Sequence, residues 1–344
     1  MRGNTFGNTL TLTTFGESHG VALGAIVDGC PAGIPLSVDD IQRELDRRRP
    51  GQSALTTSRA EGDRAELLSG IFEDHTLGSP IAVIVRNHDA RSKDYDPNYY
   101  RAGHADRVWQ EKYGRRDWRG GGRASGRETI GRVIGGVVAQ RILPPGVSIT
   151  GFTRQVGTIE ATDLPLSLSR EEVDRHPTRC PDPEAAERIE ADLLECKAQG
   201  DSRGGVAEIW VDDIPIGLGE PVFHKAKSAL IGALTSIGAV VGATLGDAHH
   251  DAQLPGKIFH QGVSGSGANA GFSSAANGIQ GGITNGQRIR LLVYFKPAST
   301  VGSMATSGRH DPCIIPRAIP VLEAMVALTL ADLYLTSKLS QGFQ

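Results

Sequence analysis

The chain has 344 residues and a formal net charge of −3, with 39 % hydrophobic and 22 % charged residues, the balance of a globular protein with an ordinary core. A charge so near zero argues against a bulk nucleic-acid binder, which carries a strongly basic domain. Aromatics are only 5 % against 44 glycines, so the core must be built from Val, Ile, Leu and Ala with many close backbone approaches.

Short strands are predicted at 9–14 and 23–28, around the turn "FGESHG". No apolar h-region or small-residue cleavage site marks a signal peptide in the opening residues. Ser37 is placed to cap a helix over 37–49, where Ile41 and Leu45 share a face and Pro50-Gly51 ends it. The β-branched run "PIAVIVRN", 80–87, predicts a buried strand. Residues 127–143 carry a helical apolar face whose glycines 131, 135 and 136 imply packing against another backbone. Between 160 and 203 the chain is charged and proline-punctuated, a surface excursion holding a helix capped by Asp182-Pro183. "GVAEIWVDDIP" and "RIRLLVYF" are further strand candidates, and 319–335 a long amphipathic helix. The uncharged stretch 229–246 is diluted by glycine and Ser/Thr, so it is expected to be a buried helix running into a strand and not a membrane span. Strands and helices intermix without a βαβ beat, which predicts an α+β fold, a layered sandwich of sheets and helices.

One stretch stands apart from the near-neutral background. "RDWRGGGRASGRETIGRV", 116–133, gathers five arginines and five glycines in eighteen positions. Glycine lets a ligand approach the backbone, arginine supplies a fork of donors matched to phosphate and carboxylate, and the loop opens a helix. It meets neither G-x-G-x-x-G nor P-loop spacing, so it predicts an ordered anion site without naming the anion. His19 in "GESHG", expected on an exposed turn, His104 with Asp106 in "RAGHAD", and His310 with Asp311 in "GRHDP" repeat one theme, a titratable group in a glycine- or arginine-flanked turn. The G-x-G-x-x-A string at 265–270 continues as Gly, Ser and Asn where a dinucleotide fold would open a helix. The loop 262–286 is expected instead to offer backbone amides to a flat or phosphorylated cofactor. His249-His250 lacks further ligands at a zinc spacing and is expected in a loop, so no metal site is predicted. Four cysteines without C-x-x-C pairs fit a reducing compartment.

Taken together and in order, "FGESHG", "GHAD", "RGGGRASGRET", "GGITNG" before "KPAST", and "GRHDPC" resemble chorismate synthase along essentially the whole chain. The resemblance implies a 1,4-elimination of phosphate from 5-enolpyruvylshikimate 3-phosphate to chorismate. It also implies a requirement for reduced FMN, NADPH as a possible reductant, a cytoplasmic location, and neither nucleic-acid nor membrane partners. It further implies a single domain over 1–344 with helices packed between two antiparallel sheets, a β-α-β sandwich, assembled as a homotetramer. By the same resemblance His19 protonates the departing phosphate, His104 protonates the reduced flavin, and Asp311 serves a proton relay. Arg123, Ala124, Ser125, Gly238, Ala239, Gly281, Lys296, Pro297, Ala298, Ser299, Thr300 and Arg309 contact FMN, and Arg48 and Arg127 hold substrate anions. Arg48 is also where a family NADPH contact would fall. Ala54, Gly238, Val241, the "SSAANG" segment and a short 300–312 connection depart from the family pattern in the cofactor loops. Two competing readings are an NADPH-dependent flavin reductase and an RNA-binding arginine loop.

Overall fold

The fold is taken from a computed structural model, which describes residues 3–51, 55, 62–87, 96–261, 271, 276–302 and 311–340. A first five-stranded antiparallel sheet uses β1 (Thr5–Phe6), β2 (Thr11–Phe15), β3 (Ala22–Asp28), β4 (Ala65–Ser69) and β7 (Ile81–Arg86), in the order β1-β2-β3-β7-β4. Between β4 and β7 lies a small hairpin of β5 (Ile71–Phe72) and β6 (His75–Thr76). A second antiparallel sheet joins β8 (Ser148–Val156), β9 (Ile159–Glu160), β10 (Gly205–Asp212), β11 (Val240–Leu245) and β14 (Ile289–Phe295), in the order β11-β14-β10-β8-β9. The hairpin of β12 (Ile279–Gln280) and β13 (Ile283–Thr284) precedes β14.

Helices fill the space between the sheets, two deep. α1 (Val38–Arg48) and α3 (Thr129–Ile142) lie toward the first sheet, with α2 (Asp106–Tyr113) between them in sequence. α6 (Ala226–Thr235) and α9 (Ile315–Ser340) lie toward the second, and α3 packs on α9 across the middle. α4 (Arg170–Asp174) and α5 (Pro183–Ala198) belong to the charged excursion, and α7 (Ala248–Asp251) and α8 (Gly256–Phe259) are single turns. The expected sandwich of helices between two antiparallel sheets is the fold observed.

The local reasons match the sequence signals. Ser37 forms a reciprocal capping box with Asp40, and Ile41 and Leu45 on the next turns are wholly buried. Asp182 accepts the Ala185 N–H at 3.1 Å ahead of Pro183, which starts α5. The run at 81–86 alternates instead of being buried throughout: Ile81, Val83 and Val85 face the helices, and Ala82 and Ile84 face outward. An antiparallel sheet covered on one side requires that pattern. The excursion docks on the second sheet. Ile189 and Leu193 of α5 join the main hydrophobic cluster, and Val173 of α4 packs with Phe152 and Trp210. His249-His250 lies in α7, a helical turn where a loop was expected.

α9 spans 26 residues and is long and apolar enough by composition to cross a membrane. Most of it is buried inside the sandwich against α3, α6, β8 and β10. α3 crosses it where Gly136 meets Ala324, so closely that a Cβ on Gly136 would sit 2.3 Å from the Ala324 Cβ.

Candidate active site

At one end of the sandwich the elements leave a cleft of about 1670 Å³. The end of β2, the turn after it, the last turn of α1, the first turn of α3, the end of β14 and the first turn of α9 all reach it. Ten of the described lining residues are arginine or lysine against five carboxylates. The near-neutral chain has therefore concentrated its cations in one place, which raises the local concentration of anions.

His19 sits in the turn joining β2 to β3. The turn was expected to be exposed, yet the residue is only 7 % accessible, because the arginine–glycine loop lies over it. Gly120 lies so close to the ring that a Cβ there would be 2.1 Å from His19 Nδ1. Glycine at this position is what allows the loop and the histidine to touch. Ser18 Oγ stands 3.1 Å from Nδ1 on the other side. Two 3-10 turns, Gly122–Ala124 and Gly126–Glu128, then carry the loop into α3, with Ser125 Oγ accepting the Arg127 N–H at 3.3 Å. The Arg123 guanidinium donates to the Thr14 and Gly16 carbonyls at 3.2 and 3.3 Å. It ties the loop to β2, a structural task beyond the anion contact expected from sequence.

His104 belongs to a second cluster, before α2. Its Nδ1 lies 2.8 Å from Asp106 Oδ1 and 3.1 Å from Arg101 Nη2. The carboxylate can only accept and makes the shorter contact, so the hydrogen belongs on Nδ1, Arg101 Nη2 is spent on the Asp106 carboxylate, and Nε2 is the basic nitrogen. Arg101 grips Asp106 with two bonds of 2.8 Å. Burial and the nearby Arg101 charge lower the His104 pKa below its ordinary value, against the opposing pull of Asp106. Burial alone would raise Asp106, but the Arg101 bonds and His104 bring it down to about 2. Lys296 Nζ and Ser299 Oγ both donate to the Gly103 carbonyl, at 3.0 and 3.1 Å, and the Lys296 N–H donates to the Ala239 carbonyl at 3.0 Å. The "GHAD" turn, the "KPAST" turn and the turn at 238–239 are thus stapled at one rim. Arg132 of α3 holds that last turn, donating to Ser236 Oγ at 2.7 Å and to its carbonyl at 3.1 Å.

The floor is a buried arginine pair. Arg48 Nη1 and Arg127 Nη1 share Asp63 at 3.1 and 2.8 Å. Arg48 also donates to Thr129 Oγ1 at 3.1 Å and to the Gly126 carbonyl at 2.6 Å, and Arg127 donates to Asn87 Oδ1 at 2.6 Å. Burial, followed by the charge of Arg317, pushes the Arg48 pKa down to about 10. Arg317 pairs through Nη1 with Asp311.

The cleft brings together His19, His104, Asp311, Arg48, Arg123, Ala124, Ser125, Arg127, Gly238, Ala239, Lys296, Ala298, Ser299 and Thr300. Pro297 lies in the same turn without lining it, and Gly281 sits in the β12–β13 turn away from the cleft. Arg309, His310, Ala54 and most of the 262–275 loop lie outside the described residues. Asp63, Arg101, Arg132 and Arg317 were not singled out from sequence. Arg317 did carry a signal: it is a cation in the first turn of an apolar helix, the end where the dipole disfavours one.

A two-sheet sandwich whose cleft gathers this much guanidinium, with two histidines among its lining, has the make-up of an enzyme that takes a small molecule. The protein-family comparison matches chorismate synthase over residues 10–335. Similar proteins include the chorismate synthases of Christiangramia forsetii, 45 % identical over 99 % of this chain and 100 % of its own, and of Bdellovibrio bacteriovorus, 47 % identical over 98 % and 99 %. A solved structure titled "Crystal Structure of Chorismate Synthase" superposes with a TM-score of 0.79 at 33 % identity, covering 96 % of this chain and 93 % of that one. The chain belongs to the chorismate synthase family and is a lyase of aromatic biosynthesis. These matches favour the lyase over the flavin-reductase and RNA-binding readings.

Proposed function

We propose that this cleft takes 5-enolpyruvylshikimate 3-phosphate together with reduced FMN and eliminates phosphate to give chorismate. The observation that carries the reading is the gathering of ten cationic side chains around a cleft of about 1670 Å³. A single drug-sized ligand fills about 300–1,000 Å³, so there is room for a phosphorylated cofactor beside a substrate with three anionic groups. Gly238 and Gly126 on the wall have no heavy atom within 4 Å of where a Cβ would stand, which leaves the backbone open to a flat ring. The residues present fit the cofactor. When bound, reduced FMN supplies an electron-rich ring that lends charge to phosphate departure and recovers it as the ring hydrogen leaves.

The chain's own groups divide the remaining work. Arg48 and Arg127, locked by Asp63, form a rigid cationic floor for substrate anions, so no reorganisation is needed as charge develops on the phosphate. His19, walled in by Gly120, holds a proton for the leaving phosphate. His104 keeps one proton at Nδ1 toward Asp106 and exchanges another at Nε2. Asp311, steadied by Arg317, is placed to pass a proton. Ser125, Lys296, Ser299 and the open backbone at 238–239 are the FMN contacts of this reading. Arg48 is buried, and each of its side-chain nitrogens is bonded within the chain, which suits a fixed charge behind the substrate anions and leaves an NADPH contact there without support. A cytoplasmic homotetramer completes the reading, and Val222 and Phe223, 66 % and 87 % exposed, are apolar surface that assembly would cover.

The test is anaerobic turnover of 5-enolpyruvylshikimate 3-phosphate with chemically reduced FMN, followed by chorismate absorbance. Product should form only with reduced flavin, and His19→Ala and His104→Ala should each slow it about 100-fold or more. Wild-type rates in both variants would remove the two histidines from the chemistry.

A further inference from the structure

We propose that Arg317 is a third substrate-anion ligand, working beside Arg48 and Arg127, and that its bond to Asp311 couples substrate binding to the placement of that carboxylate. The inference rests on the reading of the cleft as the phosphate-eliminating site. Three observations carry it. Arg317 lines the cleft from the first turn of α9, as Arg48 does from the last turn of α1, and the two charges repel each other. Its Nη1 pairs with Asp311, so the guanidinium plane is fixed. Its Nε is buried and has no hydrogen-bond partner among the described residues.

The surroundings add to this. A cation so close to Arg48 crowds like charges in a low-dielectric wall, and after burial it is the next cause of the lowered Arg48 pKa. A fold tolerates such crowding where an incoming anion relieves it. A guanidinium fork already held on one side by a carboxylate offers its remaining donors to a second planar or tetrahedral anion with little further ordering. The ligand class is therefore an oxyanion of the substrate, either its phosphate or one of its carboxylates.

Calorimetric titration separates these. With oxidised FMN present, so that no turnover occurs, 5-enolpyruvylshikimate 3-phosphate is titrated into wild type, Arg317→Ala and Arg317→Lys. Substrate affinity should fall at least tenfold in Arg317→Ala and less in Arg317→Lys, which keeps the charge but not the fork, while FMN affinity stays within twofold. Inorganic phosphate and shikimate serve as part-ligands. Loss of phosphate binding assigns Arg317 to the phosphate, and loss of shikimate binding assigns it to the ring carboxylate. Should Arg317→Ala fail to fold, Arg317→Lys carries the comparison. Substrate affinity equal to wild type in the folded variants, with kcat alone reduced, would overturn the ligand role and leave Arg317 acting only through Asp311. A wild type that binds no substrate would overturn the reading of the cleft itself.

Discussion

Asp106 shows how much one residue does at the edge of the cleft. Its folded pKa of about 2 lies below its ordinary 3.8. It therefore stabilises the protein above about pH 4 and loses that contribution as pH falls through about 2. The shift corresponds to about 2 kcal/mol at neutral pH, and Asp106→Asn should lower stability by that order in denaturant titrations. The same substitution removes the charge that supports protonated His104, so the His104 pKa should fall further. A general acid works in its protonated form, so the alkaline limb of kcat against pH should move to lower pH. An unmoved limb would mean that His104 does not donate a proton in the limiting step. The sequence showed His104 and Asp106 two positions apart and so suggested their contact. It gave no sign that Arg101, three residues before the histidine, would bind the carboxylate twice, because loop geometry decides which neighbours meet. His19 was misjudged for a related reason. Glycine flanks suggested exposure, but the glycines that matter belong to the distant loop lying over the ring.

At the scale of elements, the helices were largely legible because their signals are local: caps, an apolar stripe and a stop. The start of α3 is carried by 3-10 turns that no periodicity announces. The glycines on α3 were correctly expected to mark close contact, and the partner of Gly136 proves to be a helix, α9. Gly136→Ala tests that contact. Alanine gains about 1 kcal/mol of helix propensity, but its methyl would stand 2.5 Å from the Ala324 Cα. Overpacking of this kind costs about 1–3 kcal/mol, so a net loss of up to about 2 kcal/mol is expected in the urea midpoint. A stabilised variant would show that the two helices do not touch there. Of the strands in the two sheets, β2, β3, β7, β10, β11 and β14 were expected and β1, β4, β8 and β9 were not, and no strand's partner was. β11 and β14 are neighbours although α7, α8 and the β12–β13 hairpin come between them in the chain, and nothing local in either strand specifies that pairing.

Across the whole molecule, the charged excursion is anchored through one buried carboxylate. Glu323 of α9 accepts from Arg47 of α1 at 2.7 Å and from the Gly151 N–H of β8 at 2.9 Å, and stands 3.4 Å from Arg170 of α4. Arg47 in turn holds Asp174 at 2.6 Å. The second sheet, the helical filling and the excursion meet at this node. Removing one member of a simple buried pair costs about 3–5 kcal/mol, and less is expected here because Arg47 keeps Glu44 and Asp174. Glu323→Ala should therefore lower the denaturant midpoint of the whole protein, with the cleft and the excursion lost in one transition. Separate transitions would show the excursion to be an independent unit.

The position of α9 in the chain has a consequence for synthesis. Every strand of both sheets is encoded before it, yet it lies between them, covers β8 and β10 of the second sheet and backs α3, which covers the first. Until α9 emerges from the ribosome, the two sheets have only a partial filling, and their apolar faces stay open to neighbouring chains. Helper proteins that shield such surfaces have the whole interval to act, and a ribosome stalled before residue 315 releases a product that cannot complete its core.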